Sequence, residues 1–76
     1  MYTLYYMPAC PYCQKVLAFT EENDIELTLK DIHEDDHQAD LVKRGGKKTV
    51  PYLVDEATGQ EMYESMDIIN YLKSKV

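Results

Sequence analysis

Two cysteines two residues apart, in the run Cys10-Pro11-Tyr12-Cys13, are the side chains in this chain best suited to covalent chemistry. They follow a strand-like segment and open a helical one. A helix start presents unpaired N–H groups and about half a positive charge. Cys10 falls at the predicted N-cap, and Pro11 at the first helical position, where its missing N–H costs nothing. A thiolate at Cys10 is expected to accept hydrogen bonds from the N–H groups of Tyr12 and Cys13. Its pKa is then expected to fall from about 8.5 into the range of about 3.5–7.5 found in such motifs. Cys13, one turn further, is expected to stay protonated and less exposed. One sulfur attacks and the other resolves the mixed disulfide, as a redox dithiol requires.

Two other uses of these sulfurs compete. Inert core cysteines fit poorly, because Cys10 lies in a loop beside Pro8 and Pro11. A zinc site is suggested by His33 and His37, which complete a C-x-x-C…H-x-x-x-H order. The gap from Cys13 to His33 exceeds the roughly 12 to 15 residues usual for that pattern. It also holds a helix and a strand. His33 and His37 flank Glu34, Asp35 and Asp36, a run that reads as a solvated loop feeding a helix. No metal is expected. No G-x-G-x-x-G or P-loop pattern suggests a nucleotide.

The elements that must position the dithiol follow from hydrophobic period. Tyr2 to Met7 reads as a buried first strand ended by Pro8. From Pro11 to about Asn23, Cys13, Val16, Leu17 and Thr20 share one helical face. Ile25, Leu27 and Leu29 alternate with Glu26, Thr28 and Lys30, the period of a strand with one buried face. Asp35 or Asp36 is predicted to cap a short helix through about Arg44, with Ala39, Leu41 and Val42 available to bury. Gly45-Gly46 stops it. Val50 to Val54 is a strand, Ala57 to Gln60 a turn, and Glu61 to Tyr63 its hairpin partner. Ser65 is the predicted N-cap of a last helix in which Ile68, Ile69 and Leu72 recur to the C-terminus. The order is β-α-β-α-β-β-α, an α/β fold whose four-stranded mixed sheet is flanked by three helices.

Composition narrows the function classes. At 76 residues the chain is expected to form one domain, spanning 1–76. Eight basic against fourteen acidic residues give a net charge of −6, which argues against a phosphate-gripping, nucleic-acid-binding role. Hydrophobic content of 45% is too high for disorder. No stretch approaches the roughly 18 apolar residues of a membrane span. Met1 to Ala9 lacks a charged signal start, and Tyr2 replaces the glycine that myristoylation needs. Cytoplasmic residence is expected, where structural disulfides are rare and a close cysteine pair is reactive or metal-bound.

The Cys10-Pro11-Tyr12-Cys13 motif together with Thr49-Val50-Pro51, the basic stretch before it and the polar opening of the last helix resembles a glutaredoxin of the dithiol class, in the thioredoxin-fold superfamily. The resemblance covers essentially the whole chain. It implies that Pro51 is a cis-proline facing the active cysteine, and that the Val50 backbone pairs with a cysteinyl substrate as a short extra strand. It implies glutathione as co-substrate. Four of the eight basic residues fall between Lys43 and Lys48, and the resemblance makes Arg44 or Lys48 the receiver of the glycine carboxylate. Ser65 and the Met66 N–H are matched to the γ-glutamyl carboxylate, and Glu64 or Asp67 to its ammonium. Tyr12 is expected to pack over the substrate, and the tyrosines outside the motif region are assigned to core and rim.

Two positions depart from the family pattern. Ser65-Met66 stands where many members have Cys-Asp, and Glu64-Ser65 with Ile68, Ile69, Tyr71 and Leu72 is similar to the glutathione transferase N-terminal domain. Met7 stands where many members carry a lysine, which implies a less depressed Cys10 pKa and weaker glutathione affinity.

The expected activity is glutathione-dependent reduction of protein disulfides or glutathionyl mixed disulfides, by a monomer working with the cellular glutathione or thioredoxin reductase system. Two alternatives remain. One is a glutaredoxin-like thioredoxin reduced by a flavoprotein. The other is an iron–sulfur carrier sharing a cluster through Cys10, for which Pro11-Tyr12 is less typical than Gly-Phe.

Overall fold

A computed structural model describes residues 2–75. Strand β1 (Tyr2–Tyr6) leads into helix α1 (Pro11–Glu22), and β2 (Leu27–Asp31) follows. Helix α2 (Asp35–Gly45), the hairpin of β3 (Tyr52–Asp55) and β4 (Gln60–Met62), and helix α3 (Ser65–Lys73) complete the order. The sheet order is β2-β1-β3-β4. β1 pairs parallel with β2, from Tyr2↔Leu27 to Tyr6↔Asp31. It pairs antiparallel with β3, from Tyr2↔Asp55 to Tyr5↔Tyr52. The expected element order and four-stranded mixed sheet are those observed.

Strand alternation splits the core into two layers. Leu4 of β1 and Leu53 of β3 join Val16 of α1 with Ile68 and Leu72 of α3. Tyr5, Tyr52 and Val54 face the other way and meet Ile32 and Leu41. Central strands buried on both faces explain why β1 and β3 lack a polar face.

The second layer is sealed by polar contacts. Leu41 is the single buried residue of α2. Ala39 and Val42, expected to be buried, are exposed, because α2 touches the sheet along a narrow line. Beside the His37 and Gln38 side-chain bonds to the Asp31 and Ile32 carbonyls, its attachment is a chain of charges and phenols. The Tyr5 hydroxyl donates to Asp40, and the Tyr52 hydroxyl to Glu61. Arg44 bridges the two carboxylates, at 3.6 Å from Asp40 and 3.5 Å from Glu61. Lys30 reaches Asp40 at 3.7 Å. Burial, reinforced by the Asp40 hydrogen bond, pushes the Tyr5 phenol up to about 12. That same hydrogen bond leads the lowering of the Asp40 carboxyl.

Several boundaries differ from the sequence reading. β1 stops at Tyr6, one residue before Met7. Leu29 is 47% exposed although the alternation predicts burial. β2 is the sheet edge, and the helical layer stops short of it, leaving a shallow groove between Leu17 and Leu29. β3 begins at Tyr52, not Val50: Pro51 has no N–H for the ladder, and the Val50–Pro51 bond is cis. β4 lies one residue earlier than predicted, which frees Tyr63 from the ladder. Glu34, not Asp35 or Asp36, is the N-cap of α2; the two aspartates occupy its first turn, facing the positive end of the helix dipole. Gly46 ends α2 at φ +82°, its N–H bonded to the Val42 carbonyl at 2.8 Å. Glu64 is the N-cap of α3, and Ser65 its first helical residue, buried at 6% exposure. α3 ends at Lys73, where the Ser74 hydroxyl donates to the Tyr71 carbonyl and competes with a further turn. Its expected continuation to Val76 ends outside the described residues.

Candidate active site

The β1–α1 connection is braced by its own backbone. The Cys10 N–H donates to the Met7 carbonyl at 3.1 Å, and the Cys10 carbonyl accepts the Gln14 N–H at 3.0 Å. The Gln14 side-chain amide donates to the Pro8 carbonyl at 3.0 Å. Cys10 is therefore held as the α1 N-cap in extended backbone, with Pro11 at the start of the helix. No acidic side chain lies in the first turn of α1, so nothing there opposes negative charge on the sulfur.

Both cysteines are free thiols. The expected bonds from the Tyr12 and Cys13 N–H groups to the Cys10 sulfur are not formed, since the Cys10 side chain makes no cap hydrogen bond. The Cys13 thiol is close enough for the two sulfurs to influence one another's ionisation. A neutral thiol is a weak acceptor, which leaves those amides without a strong partner until the sulfur ionises. Cys13 is fully buried. Burial pushes its thiol up to about 12, against a hydrogen bond from the Met7 backbone that lowers it, with Cys10 adding to the rise.

Beside this turn lies a cavity of about 410 Å³. Tyr12 forms one side, Thr49, Val50 and Pro51 a second, and Glu64, Ser65 and Met66 a third. Seven of the predicted binding residues are thus brought together from three separated segments. Three are not. Arg44 is directed to Asp40 and Glu61 on the α2 face. Lys48 is exposed one residue before the Thr49 wall, and Asp67 is exposed in the first turn of α3, neither lining the cavity. A larger depression of about 730 Å³ sits at the opposite end of the sheet, by Tyr2, Ile25 and Leu27. No residue of the dithiol turn lines it, whereas Tyr12 of that turn walls the smaller cavity, so size does not make it the site of chemistry.

The histidines of the zinc alternative are occupied locally. His33 Nδ1 lies 2.9 Å from an Asp31 carboxylate oxygen, and His37 Nδ1 lies 2.9 Å from the Asp31 carbonyl. Among the described residues no group of three metal-ligating side chains converges. No described helix is long and apolar enough to cross a membrane.

Tyr63 is a site-adjacent residue that the sequence reading assigned only to core or rim. Its hydroxyl bonds to both backbone groups of Lys47, at 3.2 and 3.1 Å. The available signal was its position immediately before Glu64-Ser65.

This geometry has relatives. Glutaredoxin 1 of Rickettsia felis is 32% identical over 53 residues, covering 66% of this chain and 52% of the relative. The chain thus spans about half the length of the curated relatives it matches. Glutaredoxin 2 from Salmonella typhimurium, solved in complex with glutathione, superposes with a TM-score of 0.81 at 29% identity, over 95% of this chain and 32% of that one. Human glutathione-S-transferase T1-1 superposes with a TM-score of 0.83 at 26% identity, over 99% of this chain and 32% of that one. The fold is thioredoxin-like. Residues 4–76 match the family described as glutathione S-transferase, N-terminal domain, and the chain belongs to that family.

Proposed function

We propose that this chain is a glutathione-dependent thiol–disulfide oxidoreductase in which Cys10 attacks and Cys13 resolves. One observation carries the reading. A cysteine at the N-cap position of α1 and a buried partner thiol share a turn with Tyr12, which walls a cavity bounded by the Val50–Pro51 segment and the start of α3.

In the proposed cycle the Cys10 thiolate attacks a glutathionyl disulfide. A Cys10–glutathione disulfide forms, and the substrate sulfur leaves as a thiolate that takes up a proton. A second glutathione thiolate then attacks the glutathionyl sulfur, releasing oxidised glutathione and restoring Cys10. Alternatively Cys13 loses its proton and attacks Cys10, releasing reduced glutathione and leaving a Cys10–Cys13 disulfide, which two further glutathiones reduce. Burial of Cys13 favours the first route at neutral pH.

The ligand assignments follow the cavity. The first N–H groups of α3, at Ser65 and Met66, suit the γ-glutamyl carboxylate, and Glu64 or Asp67 its ammonium. Val50 offers its backbone to the cysteinyl unit. Lys48 is favoured over Arg44 for the glycine carboxylate, because Arg44 already serves two carboxylates. The proposed habitat is the cytoplasm, whose reducing pool keeps such thiols free.

Treatment with oxidised glutathione followed by mass spectrometry tests the reading. One glutathionyl adduct confined to Cys10, lost with Cys10→Ser, is the expected result. Full disulfide reductase activity in Cys10→Ser would sink it. Turnover by a flavoprotein reductase without glutathione would replace it with a thioredoxin-like role. Visible absorbance of anaerobically purified protein would point to a cluster carrier.

A further inference from the structure

The cavity beside the dithiol has two long walls from distant parts of the chain. One is Thr49 to Pro51, in the connection between α2 and β3, and the other is Glu64 to Met66, at the start of α3. Tyr63 belongs to the second wall by sequence and reaches the first by its side chain. Its hydroxyl accepts the Lys47 N–H at 3.2 Å and donates to the Lys47 carbonyl at 3.1 Å. Among the described residues, the backbone of Lys47 to Val50 makes no other hydrogen bond. The tether is itself anchored: the Tyr63 ring packs on Tyr52 of β3 with centroids 4.5 Å apart.

The neighbouring residue is shaped to the tether. A Cβ on Gly45 would lie 2.0 Å from the Tyr63 hydroxyl oxygen and 2.6 Å from Cζ. The φ-permissive cap is Gly46, so Gly45 is required by space rather than by backbone conformation.

We propose that Tyr63 is a positioning residue that sets the separation of the two cavity walls, and with it the affinity for glutathione, while Gly45 provides the clearance its phenol needs. This rests on the glutathione reading above. Tyr63 touches no reacting atom in this scheme. It acts through the Lys47 backbone, holding the strand-like edge at Val50 at a fixed distance from the α3 start. Ordering that edge before glutathione arrives removes a cost that binding otherwise carries.

Tyr63→Phe keeps the ring on Tyr52 and removes only the hydroxyl. The expected results are faster amide hydrogen exchange across Lys47 to Val50, with β1 and β3 unchanged, and a KM for glutathione raised about fivefold, as loss of an intramolecular hydrogen bond implies. The rate of Cys10 alkylation by iodoacetamide is expected to stay constant, which separates wall position from sulfur reactivity. Tyr52→Phe, which loses the Glu61 bond instead, controls for general loosening and is expected to leave the KM unchanged. Gly45→Ala is expected to repeat the Tyr63→Phe effect by pushing the phenol away, and it carries the test should Tyr63→Phe fail to fold. Unchanged exchange across Lys47 to Val50 in the folded variant overturns the tether. Faster exchange with an unchanged KM overturns its role in affinity. If the unmodified protein does not use glutathione at all, the functional reading fails, and with it the affinity role; the exchange result then decides the tether alone.

Discussion

Cys10 and Cys13 lie one turn apart at the start of α1, yet one is half-buried at the helix tip and the other is fully enclosed beneath it. A single helical step therefore separates a partly exposed cysteine from one closed off from solvent. The proposed division of labour between attacker and resolver rests on this difference in surroundings, since the two groups are chemically identical.

Selective labelling is the first consequence. With limiting iodoacetamide at neutral pH and native conditions, one carbamidomethyl group is expected, on Cys10. Peptide mapping with and without denaturant reads the two sites, and Cys13 is expected to react only after unfolding. Equal labelling of both in the native protein would contradict the burial of Cys13.

Cys13→Ser is expected to spare removal of glutathione from a glutathionylated peptide while abolishing any step that needs the intramolecular disulfide. In the unaltered protein, closure of the Cys10–Cys13 disulfide from the Cys10–glutathione adduct is expected to accelerate with pH throughout pH 7 to about 9, because burial, the largest cause of the raised Cys13 pKa, persists in the adduct. Stopped-flow release of glutathione at several pH values measures this. A rate that levels off near neutrality would show that Cys13 ionises far more readily than its burial allows.

Alkali is expected to destabilise the reduced protein early. The Cys13 thiol rises from an ordinary 9.0 to about 12, and the Tyr5 phenol from 10.0 to about 12. A group whose folded pKa is raised stabilises the fold fully below its unfolded value and loses that contribution as pH climbs through the folded one. Stability should thus decline from about pH 9 upward, and in Cys13→Ala only from about pH 10. Urea midpoints across that interval distinguish the two onsets. Identical onsets in both proteins would remove Cys13 as the cause.

Arg44 and Lys48 are expected to separate cleanly. Arg44→Met breaks the contacts to Asp40 and Glu61; with Arg44 partly exposed, the cost should be about 1 kcal/mol or less. Its KM for glutathione should change by less than about twofold, because a surface pair of this kind is screened and lies off the cavity. Lys48→Gln should weaken glutathione binding and steepen no stability trend. Urea denaturation and steady-state kinetics on both variants suffice. A larger KM effect from Arg44 than from Lys48 would reverse the assignment.

The order of elements and the place of the dithiol were legible from one dimension, because both depend on local rules. Hydrophobic period switches from strand to helix at Pro11, and a cysteine followed by proline at a helix start is an N-cap by backbone constraint alone. Glycine at the α2 terminus is equally local. Burial at the sheet edge was not legible: Leu29 has the spacing of a core residue, and only the strand order β2-β1-β3-β4 makes its strand the outermost one. The direction of Arg44 was only half legible: Asp40 stands four residues before it on the same helix, while Glu61, its other partner, comes from a hairpin far along the chain. Tyr63 shows the same limit most plainly. No property of the residue announces that its hydroxyl meets Lys47, because that contact exists only once α2, β3 and α3 have packed around one sheet. Local backbone preferences determined what each segment is; the packing of segments remote in sequence decided which side chains face one another across the cavity.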